Sequence, residues 1–423
     1  MLTAVTVLAA LALPTVSHAC VGDCNRDGAV TVDELIVGVN IALGTSSPDQ
    51  CQSLDDNRDR SVTIDEILTA VNASLSGCPA DEARLLVLSR EGRMASIDIA
   101  SPWTVRATAD LAAPIVSARC RAGRCVVVHA SVDAISVVAA RDLSLIDSLV
   151  LSRGSDPRDV AFVDDGTVVV SQYGKAELLA INLATHAMSA VDLSALADDD
   201  GLPEALRLAS CGRRVFVQLR RVDHRTEAMA SIGAGLAVVD IDASGRGVLV
   251  DADADTRGVQ GIALAGRPNF DMPVDCGAGV LYVAEPAPLM QGGGGYEQVD
   301  LTTLRASDLP IDTGAEVGGF EFVGGPQFWL ITHTEFGPGP SSHLNLIGGG
   351  SPETHNTFAL EHVNDLAYDA AEDILFYPDP CFTIPANSGC DPGVVPFHAH
   401  SGLRASTEAI DVGFLPIEVT VAR

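Results

Sequence analysis

Residues 157–174, Pro157-Arg158-Asp159-Val160-Ala161-Phe162-Val163-Asp164-Asp165-Gly166-Thr167-Val168-Val169-Val170-Ser171-Gln172-Tyr173-Gly174, hold two apolar segments on either side of an Asp-Gly pair. The segments Pro157–Phe162 and Val168–Ser171 are each long enough for a β-strand. Asp165-Gly166 between them is typical of a tight hairpin turn. The stretch therefore predicts two antiparallel strands, and the fold depends on how often this hairpin recurs.

The hairpin recurs along most of the chain, because seven apolar runs start between 41 and 66 residues apart. Each run is followed by an alternating strand-like segment, as Ala134–Ala139 follows the second run. Most runs are also preceded by one, as Gly318–Val323 precedes the sixth. Several short strands at a period near that of a propeller blade predict a β-propeller. The seven runs are Leu85–Leu88, Val126–His129, Val168–Ser171, Val215–Gln218, Leu281–Ala284, Trp329–Thr332 and Leu375–Pro378.

The first run has no preceding strand, whereas the segment Leu415–Val421 is strand-like and has no repeat of its own. We expect this last segment to complete the first blade and close the ring, which removes open sheet edges. The third repeat resembles the YVTN-type seven-bladed propeller repeat. The fold class expected is therefore mainly β, a seven-bladed propeller over residues 85–423. Insertions before Leu236, Tyr296 and Val394 predict long loops on one face.

A different pattern precedes the propeller, in residues 23–34. Oxygen-bearing side chains stand at positions 1, 3, 5, 9 and 12 of a twelve-residue loop with glycine at position 6, as a calcium loop requires. Gly28 suits the sharp bend. Position 7 supplies a backbone carbonyl and the last residue both carboxylate oxygens. The predicted ligands are Asp23, Asn25, Asp27, Ala29, Thr31 and Glu34.

The pattern returns in residues 55–66, which indicates that one unit was duplicated. Arg60 replaces the glycine at position 6, so we expect this second loop to bind calcium more weakly. Each loop leads into an apolar-periodic segment, and helices are predicted from Glu34 to about Leu43 and from Asp65 to about Leu75. The second set of predicted ligands is Asp55, Asn57, Asp59, Ser61, Thr63 and Glu66.

Residues 20–78 resemble the type I dockerin and EF-hand family, whose members hold Ca²⁺ in tandem loop–helix units. The resemblance implies a small α-helical module with Ca²⁺ as cofactor, and a cohesin-like module as a partner. Glu34, Glu66 and four cysteines depart from the dockerin pattern, as do the residues at loop positions 10 and 11. The resemblance therefore supports the prediction of calcium binding more strongly than the prediction of cohesin binding.

The start of the chain predicts export. Residues 1–19 form an apolar segment with a small-x-Ala end before Cys20, as in a secretory signal peptide. Acylation of Cys20 is the alternative. Ten cysteines fit an oxidising compartment, and a secreted, periplasmic or cell-surface location is expected. Cys120 and Cys125 are predicted to pair, while four cysteines near the calcium loops (Cys20, Cys24, Cys51 and Cys78) allow three pairings.

The formal net charge of −30 excludes nucleic acid as a partner, because phosphates would find no neutralising surface. No apolar run beyond the first predicts a membrane span, and no catalytic motif of a serine hydrolase, zinc protease or P-loop enzyme is present. The pair His398 and His400, and the acidic turns 198–201 and 251–255, are weak metal candidates that fit no complete template.

The sequence thus predicts a signal peptide (1–19), a calcium module (20–78), a linker (79–84) and a propeller (85–423), in a monomeric protein. Three functions remain open. One is a binding or scaffold protein whose propeller face takes a protein or small-molecule ligand. Another is a propeller enzyme, such as a lactonase or other hydrolase, with metal or acid groups in its channel. The third is a cohesin-docked component of a surface assembly.

Overall fold

The computed structural model describes residues 21–24, 30–54, 61–76, 83–222, 235–266, 268, 270–286, 294–309, 311, 316–333, 342–348, 354–357, 365–381 and 392–422. The chain divides into two compact units, residues 1–82 and 83–423. The signal-peptide prediction (1–19), the linker prediction apart from residues 83 and 84, and much of the three predicted insertion loops lie outside the described residues. No helix among those described is long and apolar enough to cross a membrane.

The N-terminal unit contains two helices, α1 (Val32–Ala42) and α2 (Ile64–Ser76), with short 3₁₀ turns at Pro48–Gln50 and Gln52–Leu54. Both helices lie close to their predicted positions. Val30 and Val62, each just before a helix, are buried in one small core. A disulfide bond joins Cys24 to Cys51 and supports this core, which is too small to be stable by burial alone.

The C-terminal unit consists of seven antiparallel sheets, which confirms the predicted mainly β, seven-bladed propeller. The strands are β1 (Arg84–Leu88), β2 (Arg93–Asp98) and β3 (Val105–Asp110) in blade 1; β4 (Ser117–Arg121), β5 (Arg124–His129), β6 (Ala134–Ala139) and β7 (Leu145–Val150) in blade 2; β8 (Pro157–Phe162), β9 (Thr167–Gln172), β10 (Glu177–Asn182) and β11 (Met188–Asp192) in blade 3; β12 (Ala205–Cys211), β13 (Arg214–Leu219), β14 (Gly235–Ile241), β15 (Gly247–Val250) and β16 (Ile262–Ala263) in blade 4; β17 (Val274–Asp275), β18 (Val280–Pro286), β19 (Gly294–Asp300) and β20 (Arg305–Leu309) in blade 5; β21 (Glu316–Gly324), β22 (Gln327–His333), β23 (Ser342–Ile347) and β24 (Thr354–Thr357) in blade 6; β25 (Ala367–Asp369), β26 (Ile374–Asp379) and β27 (Gly393–His398) in blade 7; and β28 (Glu418–Ala422), which joins blade 1.

The C-terminal strand closes the ring. Strand β28 pairs antiparallel with β1, with Leu86 opposite Thr420, and so forms the inner strand of blade 1. Around the ring, β28 contacts β4, β4 contacts β8, β8 contacts β12 and β12 contacts β17; β21 contacts β18 and β25, and β25 contacts β28. The inner strand of every blade therefore lies beside the central channel. This strand is β28 in blade 1 and the first strand along the chain in blades 2 to 7.

The core of the propeller lies between blades. Each pair of neighbouring blades encloses one cluster of buried apolar side chains, such as the cluster that joins Val169 of blade 3 to Val215 of blade 4. Trp329 of blade 6 is fully buried, and its Nε1 donates a 2.7 Å hydrogen bond to the Ala399 carbonyl beside blade 7. These contacts hold the inner strands, and hence the channel side chains, in fixed positions.

Two disulfide bonds of the propeller have both of their cysteines among the described residues. The predicted bond between Cys120 and Cys125 is confirmed and closes the β4–β5 hairpin. A second bond joins Cys211, at the end of β12, to Cys276, just after β17, and so links blades 4 and 5. Such bonds are typical of proteins from oxidising compartments.

Candidate functional site

Each blade places one charged residue at its inner strand, facing the channel. Five of these residues lie within the strand, while Asp271 and Asp365 come just before it. The set contains five carboxylic acids and two arginines, so the channel is predominantly acidic. In blade order, the residues are Glu418, Arg119, Asp159, Arg207, Asp271, Glu321 and Asp365.

Arg119 is the centre of this set. Its Nη2 lies 2.6 Å from Asp271 Oδ2 and 3.4 Å from Asp159 Oδ2, and its Nη1 lies 3.3 Å from Glu418 Oε1. The three acids belong to blades 5, 3 and 1. One guanidinium therefore connects four blades through charge-assisted contacts.

Several channel carboxylates also accept a hydrogen bond from the backbone of the next blade. Asp159 Oδ2 accepts from the Leu208 N–H at 2.9 Å, and Asp365 Oδ2 accepts from the Val419 N–H at 2.6 Å. Glu418 Oε1 accepts from the Ala118 N–H at 3.3 Å. Because inner strands of neighbouring blades form no common sheet, these acids supply the polar links between them.

A cavity of about 220 Å³ opens onto this channel. Arg119, Asp271, Glu321 and Asp365 supply its polar wall. The remainder is largely apolar, with the ring of Tyr368 among its lining groups. Such a mixture of convergent charged groups and an apolar surface is typical of a site for a small amphipathic molecule.

The ion pair between Arg119 and Asp271 stays charged. Burial acts to raise the pKa of Asp271, but the guanidiniums of Arg119 and Arg207 outweigh it and hold the pKa below its ordinary value. Burial likewise acts to lower the pKa of Arg119, and the nearby carboxylates outweigh it. Both residues are therefore ionised at neutral pH.

The other acids behave differently. Burial raises the pKa of Glu321 to about 8, with a further rise from the charge of Asp271. Burial raises the pKa of Glu418 to about 7, although the charges of Arg207 and Arg119 oppose the change. Burial, together with the charges of Asp271 and Glu418, raises the pKa of Asp365 well above its ordinary value. At neutral pH, Glu321 is therefore protonated. A cation bound in the channel would favour the ionised form of these acids and displace protons into solvent.

Arg207 is the second cation of the channel. Its Nε lies 3.4 Å from Asp271 Oδ1, while its buried Nη1 has no hydrogen-bond partner among the residues described. The negative charges of Asp271, Glu418 and Asp159 raise the pKa of Arg207 against the effect of burial. Its position limits how much net negative charge the channel can hold.

The predicted calcium loops are described in part. Asp23, Glu34 and Glu66 are buried. Glu34 Oε2 accepts hydrogen bonds from the Thr31 N–H and hydroxyl at 2.8 and 2.9 Å, and its Oε1 accepts from the Cys24 N–H. Glu66 repeats the contact with the Thr63 N–H and hydroxyl at 2.7 and 2.9 Å. Asn25, Asp27, Ala29, Asp55, Asn57 and Asp59 lie outside the described residues, while Ser61 lies within them.

The weaker metal candidates lie apart from the channel set. Asp198 and Asp200 come together with Glu204, with one oxygen of each within 4.8 Å of the others. Asp253 forms a 3.0 Å ion pair with Arg305, as a solvated turn would. His398 and His400 are both exposed, and His400 pairs with Asp373.

The channel charges were missed by sequence reasoning, although a signal was present. In blades 2 to 7, an acidic or basic residue stands seven to ten residues before the apolar run, in or beside a segment that is otherwise suited to a buried strand. A charged residue repeated at that position predicts a polar channel. Single repeats do not reveal it, because each contributes only one charge.

No protein-family model matches the chain, and no curated protein sequence matches it either. Solved structures do match. Apo AztD from Citrobacter koseri is 12% identical with a TM-score of 0.52, over 80% of this chain and 97% of that one. A functionally unknown protein from Desulfotomaculum acetoxidans is 12% identical with a TM-score of 0.55, over 80% and 99% of the two chains.

A third match is the dihydro-heme d1 dehydrogenase NirN in complex with DHE, which is 14% identical with a TM-score of 0.50. It covers 80% of this chain and 74% of that one. At these identities the likeness shows the propeller fold alone, because one fold hosts many unrelated functions. The likeness therefore assigns no function to this chain, and the channel residues are the features that bear on it.

Proposed function

We propose that this protein is an exported binding protein whose propeller channel holds a small cationic ligand. The observation that carries the proposal is the set of seven charged residues, one per blade, in which five acids face two arginines. A cleft lined mainly by one sign of charge raises the local concentration of the opposite charge. The overall charge of −30 acts in the same direction.

The cavity favours an organic cation with a short hydrocarbon part. A cationic head would lie near Asp365 and Glu321, because neither acid forms an ion pair with a described residue. The hydrocarbon part would lie against apolar lining residues such as Met272 and Leu366. An anion fits less well, because Arg119 already contacts three carboxylates.

Proton release should accompany binding. Glu321 has a pKa of about 8 and so carries a proton at neutral pH, while burial and nearby charges raise the pKa of Asp365 and favour its protonated form. A cation that ionises them displaces those protons into solvent. Affinity is therefore expected to rise between pH about 6 and pH about 9.

A charge series tests the proposal on the full-length chain. We would compare the thermal stabilisation given by n-butylammonium, n-butanol and butyrate, which share one hydrocarbon chain. Only n-butylammonium should stabilise the protein, and calorimetry in two buffers of different ionisation enthalpy should show proton release. The double variant Glu321→Gln with Asp365→Asn should lose the effect, while Glu408→Gln, an exposed acid, should keep it. Stabilisation by butyrate, or by none of the three, would contradict the proposal.

The N-terminal unit is proposed to bind Ca²⁺ through its two loops. The support is the repeated contact between position 9 and position 12, Thr31 with Glu34 and Thr63 with Glu66, which places each terminal carboxylate beside its loop. Bound calcium would add metal–ligand bonds to a unit whose own core is small. Melting of Glu34→Gln and Glu66→Gln, followed with and without chelator, tests the two carboxylates.

A second candidate function for this unit is docking to a cohesin-like module. Both helices expose an apolar stripe, and the two stripes correspond in the duplicated sequence: Val32, Ile36 and Val39 on α1 with Leu43 directly after it, and Ile64, Leu68 and Leu75 on α2. Exposed apolar stripes of this kind mark protein-binding faces. Pull-down with purified cohesin modules tests it, with Ile36→Asp and Leu68→Asp expected to abolish capture. Failure of the wild-type chain to bind any of them would count against docking.

A hydrolytic enzyme remains the alternative for the channel. The observation in its favour is Glu321, because a carboxylic acid with a pKa of about 8 is suited to donate a proton near neutral pH. Lactone hydrolysis by the wild-type chain, lost in Glu321→Gln, would support this alternative. Absence of turnover together with binding of n-butylammonium would support the binding protein.

A further inference from the structure

Two glutamates lie side by side within blade 5, away from the seven channel charges. Glu285 belongs to β18 and Glu297 to the adjacent strand β19, and only 3% and 6% of their surfaces are exposed. Glu285 lies opposite Gly295 and Glu297 lies opposite Val283, so the two acids are diagonal neighbours on one face of the sheet. Long side chains at such positions reach each other.

Backbone groups of the 265–266 segment hold this pair. The Ala265 N–H donates a 2.9 Å hydrogen bond to Glu297 Oε2, and the Gly266 N–H donates to the carboxyl of Glu285. A Cβ at position 266 would lie 2.7 Å from Glu285 Oε2 and 2.9 Å from the Glu285 Cβ. Only glycine therefore allows the segment to approach this closely.

Among the residues that the structure describes, which do not include Arg267, the pair has no positive counter-charge. Within the described part of the chain, no ion pair includes Glu285 or Glu297. Glu285 Oε1 is buried, and no N–H or O–H donor among the described residues reaches it. A buried carboxylate oxygen without a partner is costly, because the water it loses on folding is not replaced.

A third acid stands at the edge of the same face. Asp308 on β20 lies directly opposite Glu297 and is exposed. Burial, a hydrogen bond with Glu297, and the charges of Glu297 and Asp308 raise the pKa of Glu285 to about 9.

We propose that Glu285 and Glu297, with Asp308 at the rim, form a binding site for Ca²⁺ in blade 5. All its ligands are oxygens, which favours a hard divalent cation. Glu285 Oε1, to which no described group donates a hydrogen bond, supplies one ligand atom. When the ion binds, the O–H bond of Glu285 breaks, its proton passes to solvent, and both carboxylates coordinate the metal. Water completes the shell, and the Kd falls in the range of roughly 10⁻⁴–10⁻³ M that extracellular sites use.

The test uses the full-length chain carrying Glu34→Gln and Glu66→Gln, so that the N-terminal loops respond little to calcium. In this background, calcium at about ten times the Kd should raise the melting temperature by about 2 °C. Adding Glu285→Gln and Glu297→Gln should remove that rise, because two amides keep the hydrogen bonds but cannot neutralise the ion. Asp110→Asn, at an exposed strand position, is the matched control and should leave the rise unchanged.

Equilibrium dialysis with radioactive calcium supplies a second readout, and the Gln pair should lower the count by about one ion per chain. An unchanged response after the Gln substitutions would overturn the proposal. So would the absence of any response in the background protein, in which case the two acids share a proton only.

Discussion

Arg119 Nη2 lies 2.6 Å from Asp271 Oδ2, although the two residues belong to blades 2 and 5, which are not neighbours in the ring. The pair therefore spans the central channel. Because the same guanidinium reaches Asp159 and Glu418, four blades are joined at one point. The channel is thus part of the framework of the propeller as well as its candidate binding site.

Replacement of Arg119 should be strongly destabilising. Arg119→Met leaves Asp159, whose side chain is fully buried, without its ion pair. Removal of one partner from a buried ion pair costs about 3–5 kcal/mol in the free energy of unfolding. Urea unfolding measures this loss. Arg121→Met, which removes an exposed pair with Asp165, is the control and should cost about 1 kcal/mol or less. Equal effects of the two variants would show that the network contributes little.

Stability should fall with rising pH because of Glu321. Its folded pKa of about 8 lies above the ordinary value near 4.5, so the folded state holds this proton more tightly than the unfolded state does. The contribution is fully present below pH about 4.5 and is lost as pH rises through about 8. Asp271, whose pKa is lowered, has the opposite effect only at acidic pH.

Denaturant unfolding at a series of pH values checks this prediction. Glu321→Gln mimics the protonated acid and should flatten the decline between pH about 5 and pH about 9. Glu408→Gln, at an exposed position, should leave the slope unchanged. A steeper decline in Glu321→Gln than in the wild type would show that the sign is wrong.

The Cys211–Cys276 and Cys120–Cys125 disulfide bonds should differ in their effect on the free energy of unfolding. Cys211 and Cys276 are 65 residues apart, whereas Cys120 and Cys125 are five apart. Cross-links that close longer loops restrict the unfolded chain more, so loss of the first bond should cost about 4 kcal/mol and loss of the second about 2 kcal/mol. Unfolding of the paired Cys→Ala variants measures both. A larger cost for the Cys120–Cys125 pair would contradict the loop-length argument.

Calcium should stabilise the N-terminal unit mainly through its first loop. Millimolar calcium is expected to add about 1 kcal/mol per site. Glu34→Gln should remove most of the effect, and Glu66→Gln should remove less, because the sequence has Arg60 in place of glycine at position 6 of the second loop. Melting and helicity, followed with and without chelator, provide the measurement. If Glu66→Gln proves the more damaging change, the ranking of the loops is wrong.

The strands were predictable because each blade repeats one local pattern. The segments Ala134–Ala139 and Pro157–Phe162 coincide with β6 and β8, since an alternating apolar run bounded by turn residues specifies a strand by itself. The helices after Thr31 and Thr63 were predictable for a similar reason, because a capping residue followed by a glutamate marks a helix start.

The channel could not be predicted in the same way. Glu418 and Arg119 are 299 residues apart, and only closure of the ring brings them together. The pair Glu285 and Glu297 was also missed, because its meaning depends on the register of β18 with β19 and on the approach of Gly266. Contacts set by tertiary structure leave no local spacing to recognise.

Closure of the ring depends on strand β28, which is synthesised last among the strands described. Until the ribosome has passed residue 422, β1 has no inner neighbour and Arg119 lacks Glu418. In a nascent or prematurely terminated chain, the backbone N–H and C=O groups on one edge of Arg84–Leu88 would be unpaired and open to other chains and to proteases. Only a chain that includes this strand can form both the closed ring and the full set of seven channel charges.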